Sequence, residues 1–339
     1  MPGTSRDPRT PHAPRRSRTS RRATLLALPA AVLLALVPGS AAAYPNPGRV
    51  TGDIVVHDPT MLRTSSGQYL LYSTGDGLQA RTSTDRIAFS RNRSAFTTLP
   101  SWWSTYSPAK DPWAPDISYH GGKYLMYYAV SSFGSSTSAI GLAGSTTGQP
   151  GSWSDYGIVY TSNATSDYNA IDPNLFVDDD GKWWLSFGSW WTGIKMIRID
   201  PSTGKQYAGD TARRSLASRP TGTKAVEAPV VVKRNGYYYL FASYDTCCAG
   251  TSSTYKIKVG RATSVTGPYV DKNGVNMMNN GGSLVLESHG RYIGPGGQSI
   301  MPDSDGDLLV HHYYDGQDNG TPKLGVNLLS WSGGWPTAY

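Results

Sequence analysis

The chain has 339 residues, 38% of them hydrophobic, with 31 basic against 24 acidic side chains and a formal net charge of +7. Seven of the arginines and one aspartate fall in residues 1–43, leaving 24 basic and 23 acidic groups in residues 44–339. A remainder so close to neutral argues against a basic nucleic-acid-binding surface.

In chain order, the first feature is an export signal. Arg6, Arg9, Arg15, Arg16, Arg18, Arg21 and Arg22 precede an apolar run from Ala23 to Val37, and small residues Gly39 to Ala43 close it. That order is the one of a secretory signal cut before Tyr44. Arg21-Arg22 also admits the twin-arginine type. The apolar run is too short, and too interrupted by Pro29, for a membrane span. The expected organisation is a removed signal at 1–43 and one secreted, extracellular domain at 44–339, monomeric and free of membrane.

All 10 Trp, 22 Tyr and 6 Phe lie in residues 44–339, in runs bounded by Gly, Asp, Asn and Ser. Such runs favour strands over helices, so the domain reads as all-β. Five segments share one pattern, starting at Asp58, Trp113, Asp172, Glu227 and Gly297, each with a turn glycine nine residues on (Gly67, Gly122, Gly181, Gly236 and Gly306). The starts are 55, 59, 55 and 70 residues apart. A repeat of strand–turn–strand units at that period predicts a five-bladed β-propeller rather than a sandwich or jelly roll. In a propeller the innermost strand starts converge on the axis, which would gather Asp58, Asp172 and Glu227 beside Trp113. Each Asp-Pro pair taken alone is equally well a turn. Three acids in register are a candidate acid–base site, and two carboxyl groups of unlike pKa are what glycoside hydrolysis requires. Cys247 and Cys248, the only cysteines, either close a vicinal disulfide in an oxidising compartment or remain free thiols.

The motifs His57-Asp58-Pro59-Thr60, Trp113-Ala114-Pro115-Asp116-Ile117, Asn169-Ala170-Ile171-Asp172-Pro173, Val226-Glu227-Ala228-Pro229 and His312-Tyr313-Tyr314-Asp315 together resemble glycoside hydrolase family 43. Within it, the stretches from Ser243 to Ile257 and from Phe133 to Leu142 are similar to endo-acting α-1,5-L-arabinanases. The resemblance implies Asp58 as general base, Glu227 as general acid, and Asp172 as the group that raises and orients Glu227. It implies inversion, with about 6.5–9.5 Å between the working carboxyls. Trp113 would be a sugar platform or a core plug, Phe133 a subsite aromatic, and Asn169 and Ser189 polar contacts to sugar or to backbone. His312 would hold a calcium ion on the axis, largely through water, with no organic cofactor. His311 beside it would point away, since strand neighbours alternate. The run Asp178-Asp179-Asp180-Gly181 lacks the spacing of a calcium loop and reads as a solvated turn. The implied substrates are arabinan and arabino-oligosaccharides. An exo-acting arabinofuranosidase or β-xylosidase, a non-catalytic sugar-binding propeller and a kelch-type protein-binding propeller are the competing readings.

Overall fold

The computed structural model describes residues 44–339; the expected signal at 1–43 lies outside the described residues. The chain folds as a five-bladed β-propeller. Blade 1 contains β1 (Thr51–Gly52), β2 (Thr60–Arg63), β3 (Tyr69–Ser73), β4 (Gln79–Ser83) and β5 (Ala88–Asn92). Blade 2 contains β6 (Pro112–His120), β7 (Lys123–Val130), β8 (Ser138–Ser145) and β9 (Ser154–Ser162). Blade 3 contains β10 (Asn174–Val177), β11 (Trp183–Phe187), β12 (Ile194–Ile199) and β13 (Arg214–Ala217). Blade 4 contains β14 (Val226–Arg234), β15 (Tyr237–Tyr244), β16 (Lys256–Ala262) and β17 (Ser283–Leu286). Blade 5 contains β18 (Tyr292–Asp303), β19 (Gly306–Asp315), β20 (Thr321–Ser330) and β21 (Thr337–Ala338). Blades 2 to 5 are antiparallel in chain order, and β1 joins blade 1 in parallel with β5. The innermost strands β2, β6, β10, β14 and β18 touch their neighbours in a closed ring. Among the described residues no helix is long and apolar enough to cross a membrane.

The second strand of each blade is apolar on both faces because a blade is covered on both sides. Along β7, Tyr124, Met126, Tyr128 and Val130 pack with blade 1, while Leu125 and Tyr127 pack with blade 3. Along β15, Tyr238, Leu240, Ala242 and Tyr244 face blade 3, and Tyr239 and Phe241 face blade 5. The core is therefore five apolar layers, one per joint, and the period of two decides which joint a side chain serves. Tyrosine suits this position, since its ring fills the layer and its hydroxyl reaches a loop carbonyl. Tyr72 donates to Gly148 O at 2.6 Å, Tyr127 to Gly204 O at 2.9 Å and Tyr244 to Gly281 O at 2.7 Å.

Near the axis a second set of contacts ties blade to blade. Thr60 Oγ1 accepts from the Ile117 amide at 3.2 Å, Asp116 Oδ2 from the Leu175 amide at 2.8 Å, and Asn174 Oδ1 from the Val231 amide at 2.9 Å. Gln298 Nε2 donates to Ala228 O at 2.6 Å, and Ser299 Oγ donates to Pro59 O at 3.0 Å. All five joints are thus bridged. Segments near both ends of the described residues cover the edge of β20: Gly48 N donates to Val326 O at 2.8 Å, and Leu328 N to Tyr339 O at 3.1 Å.

One residue before each innermost strand, or at its inner bulge, takes a left-handed conformation: Asp58 (φ 48°), Ala114 (44°), Asp172 (56°), Ala228 (51°) and Gly297 (56°). The first four precede a proline, which disfavours the right-handed helical region for the residue before it. This register corrects the sequence alignment. Ala114 and Ala228, not Trp113 and Glu227, are the structural equivalents of Asp58 and Asp172. The equal nine-residue spacing concealed the offset because hairpin loops differ: residues 64–68 and 178–182 in blades 1 and 3, but two residues in blades 2 and 4. The run from Asp178 is a hairpin turn held by ion pairing, with Asp178 bonded to Lys233 Nζ at 2.9 Å and to the Tyr238 hydroxyl.

Two measurements test this account. Leu240, fully buried between blades 3 and 4, truncated to alanine should cost about 2–5 kcal/mol in denaturant unfolding, whereas Val275→Ala at the surface should stay within about 0.5 kcal/mol. Burial pushes the Asp116 carboxyl up to about 7, against the opposing hydrogen bonds from the Leu175 amide and Asn174. The folded chain then binds this proton more tightly than the unfolded one, so stability falls as pH rises from about 4 to about 7. Asp116→Asn should remove that dependence, and urea midpoints of the two proteins across this range should diverge in that sense.

Candidate active site

The left-handed turn before β2 aims Asp58 at the axis, and three neighbours fix it. Its Oδ2 accepts from Thr74 Oγ1 at 2.8 Å and lies 2.8 Å from His57 Nδ1. Its amide donates to His312 Nδ1 at 3.1 Å, and its Oδ1 lies 3.6 Å from the same nitrogen. Thr74 Oγ1 also accepts from the Ala114 amide at 3.0 Å, which ties the blade 1 acid to the blade 2 turn. Burial alone would raise the Asp58 pKa. The charge and hydrogen bond of His57, then His312 and Thr74, outweigh it and bring the carboxyl down to about 2. Asp58 therefore favours its ionised form.

Asp172 and Glu227 are pushed the other way. Asp172 Oδ2 accepts only the Ala228 amide, at 3.1 Å. Burial, followed by the charges of Glu227 and Asp58, holds Asp172 well above the usual carboxylate range. Glu227 stands at the start of β14, 8% exposed, one residue before the left-handed Ala228. Its Oε2 accepts from Ser189 Oγ at 2.6 Å and its Oε1 from the Tyr255 hydroxyl at 2.8 Å. Burial raises Glu227 despite these two donors, with the Asp58 charge adding to the rise. The axis thus gathers one carboxylate and two carboxyls that resist ionising together, which is the complement needed for coupled proton acceptance and donation. Among the described residues the three do not form a metal-sized cluster.

His57 and His312 lie as stacked rings, centroids 3.8 Å apart. Burial lowers both. In His57 the adjacent Asp58 reverses the effect and raises it, while His312 stays well below the ordinary value. His57 Nε2 lies 2.8 Å from the Tyr314 hydroxyl, so both of its nitrogens are engaged. His312 is fully buried, and its Nε2 has no partner among the described residues. An orphaned buried nitrogen beside the axis fits a single ligand position for an ion whose other ligands are water. Nδ1 accepts the Asp58 amide hydrogen, so the neutral ring keeps its proton on Nε2, and a cation held there must displace it. His311 points away from the axis, against Gly325, where burial takes it down to about 4.

The remaining candidates divide. Trp113 is half-buried on β6 beside Ala114. Phe133 is 84% exposed in the loop after β7, so its ring is free rather than packed. Asn169 is buried and occupied within the protein: its Oδ1 accepts from Ser138 Oγ at 2.6 Å and its Nδ2 donates to Ser135 O at 3.2 Å, bracing the Phe133 loop. The Ser189 hydroxyl is spent on Glu227. Thr74, Tyr255 and Tyr314 escaped the sequence reading as site residues, and so did His57. Three of them stood inside recognised motifs, but nothing in spacing tells which neighbour of an acid holds it. Trp190 and Trp191, each 39% exposed and left-handed (φ 50° and 40°), follow Ser189 directly and were also missed.

With this geometry in place, comparison with known proteins is informative. The profile of Glycosyl hydrolases family 43 matches residues 48–336. The chain is 49% identical over 289 residues to the extracellular endo-alpha-(1->5)-L-arabinanase 1 of Bacillus subtilis (strain 168), covering 84% of this chain and 87% of that protein. It is 40% identical over 297 residues to the extracellular exo-alpha-(1->5)-L-arabinofuranosidase of Cellvibrio japonicus (strain Ueda107), covering 83% and 85%. The solved endo-arabinanase of Bacillus licheniformis superposes with a TM-score of 0.80 at 48% identity, covering 85% of this chain and 99% of that one. A match over nearly all of the described domain, with three acids meeting on one axis, leaves one conclusion: the chain belongs to glycosyl hydrolase family 43.

Proposed function

We propose that this chain is a secreted endo-acting hydrolase that cleaves α-1,5-linked L-arabinan with inversion. The observation that carries the reading is the opposed electrostatics of two carboxyls on one axis, Asp58 lowered by His57 and Glu227 raised by burial. Asp58 takes a proton from the attacking water as that water closes on the anomeric carbon. Glu227 gives its proton to the departing sugar oxygen. Asp172 grips the Ala228 amide next to Glu227 and orients that acid, while burial and the Asp58 charge raise the Glu227 pKa. Trp113 offers a flat apolar face to an arabinofuranose ring, and the open ring of Phe133 offers another farther along the chain. Asn169 serves through the loop it braces, and Ser189 through Glu227. A calcium ion on His312 Nε2, otherwise hydrated, would supply positive charge behind Asp58. The name of the Cellvibrio japonicus relative keeps an exo-acting arabinofuranosidase as the second reading.

Linear arabinan followed by chromatography and NMR tests the proposal. Oligosaccharides longer than arabinose should appear first, and the new reducing ends should form as the β anomer. Release of arabinose alone would move the assignment to the exo class. Glu227→Ala and Asp58→Ala should each lower kcat about 10²–10⁴-fold while retaining sugar binding, and full activity in either would reject its role.

The pH profile gives an independent check. A general acid must be protonated, so kcat/KM falls as pH rises through the Glu227 value. The Tyr255 hydroxyl bonds the ionised form and lowers that value. Tyr255→Phe should therefore shift the alkaline limb upward, and a downward shift would contradict the assignment.

A further inference from the structure

Cys247 and Cys248 are joined as a disulfide, which settles the alternative that the sequence left open. A bridge between neighbours closes no chain loop, so it removes almost none of the unfolded-state entropy through which disulfides usually stabilise a fold. Its surroundings give it another use. The pair sits in the loop between β15 and β16. Cys248 is exposed and left-handed, φ 61°. Its amide donates to the Tyr314 hydroxyl at 2.8 Å, and its Sγ lies 3.8 Å from His57 Nε2. That hydroxyl lies 2.8 Å from His57 Nε2, and His57 Nδ1 lies 2.8 Å from Asp58 Oδ2. Three hydrogen bonds in line connect the disulfide to the base.

The base of the loop is held separately. Thr254 N donates to Thr246 O at 3.0 Å, and Ala249 N donates to Ser253 Oγ at 3.1 Å. Opening the bridge would therefore free the tip without unfolding the blade. A left-handed cysteine is costly, and the ring through the neighbouring sulfur restrains the Cys248 backbone in that state.

We propose that the Cys247–Cys248 disulfide is a positioning element for Asp58: it keeps the Cys248 amide on Tyr314, and Tyr314 and His57 pass that constraint to the carboxylate. The proposal rests on the reading of Asp58 as general base. Misplacing a working group by a fraction of an ångström lowers turnover more than binding. The test compares the full chain with the double variant Cys247→Ser/Cys248→Ser, with Tyr314→Phe and with the triple combination, on linear arabinan. The double variant should lose about 10-fold in kcat with KM and unfolding midpoint unchanged, and the triple should lose little beyond Tyr314→Phe. Dithiothreitol, oxidised to its cyclic disulfide as the bridge opens to two thiols, should lower wild-type kcat reversibly. Wild-type kcat in the double variant, or losses that add in full, would overturn the proposal. A raised KM at constant kcat would make the bridge a sugar contact and overturn it equally. Asp58→Ala serves as the separate control, because full activity there removes the base assignment itself, whatever the cysteines do.

Discussion

A left-handed backbone costs an L-residue roughly 1–2 kcal/mol, and this propeller accepts that cost at four non-glycine positions around its axis. The return is direction. Left-handed turns at Asp58 and Asp172 swing the carboxyls inward, and the one at Ala228 sets the preceding Glu227 toward the same space. The following prolines exclude the helical alternative, and the ring of side-chain to backbone bonds from Thr60, Asp116 and Asn174 holds each strand against the next. Strain and restraint occupy the same few residues, as at other sites that must be rigid before a substrate arrives.

That arrangement also sorts the acids. Glu227 is buried and the two aspartates half-buried, and desolvation by itself would raise all three. Asp58 differs because His57 bonds it directly, along with the Thr74 hydroxyl and the nearby His312 ring. Asp172 has one amide, and Glu227 has two neutral hydroxyls. Different partners in one cavity produce one ionised group and a pair that holds on to a proton, which is the division of labour an acid–base displacement needs. The roles follow from the partners, because residue type alone would not separate two aspartates.

Much of this was legible beforehand. The five-fold repeat announced the propeller, and the acids at its strand starts announced the axis. The register itself was misread by one residue in blades 2 and 4. A turn glycine at constant spacing does not reveal whether the hairpin loop has two residues or five, nor where a bulge absorbs the difference. The holders of the acids were not legible either. His57, Thr74, Tyr255 and Tyr314 come from blades 1, 4 and 5, and their pairing depends on closure of the ring, which leaves no local pattern. Asn169 shows the converse. A polar residue beside a catalytic motif reads as a ligand contact, yet its amide is consumed in bracing the loop that carries Phe133.

Because Asp58, Asp172 and Glu227 lie on blades 1, 3 and 4, no single loop or hairpin sets their spacing. The distance between Asp58 and Glu227 is a property of the ring, summed over the joints between them. Blades 4 and 1 are separated on one side only by blade 5, the blade whose outer edge is covered by segments near both ends of the described residues. Residues near Gly48 and Tyr339 bond to β20 of that blade. Loosening them would widen the ring at the joint between blades 5 and 1, where Ser299 meets Pro59, the residue after the base. Tyr44, Trp335 and Ala338 also pack in the apolar layer between blades 4 and 5, so that joint would loosen with it. Turnover and stability would therefore both respond to these segments, since catalysis is sensitive to fractions of an ångström and the same side chains fill one of the five layers that hold the ring.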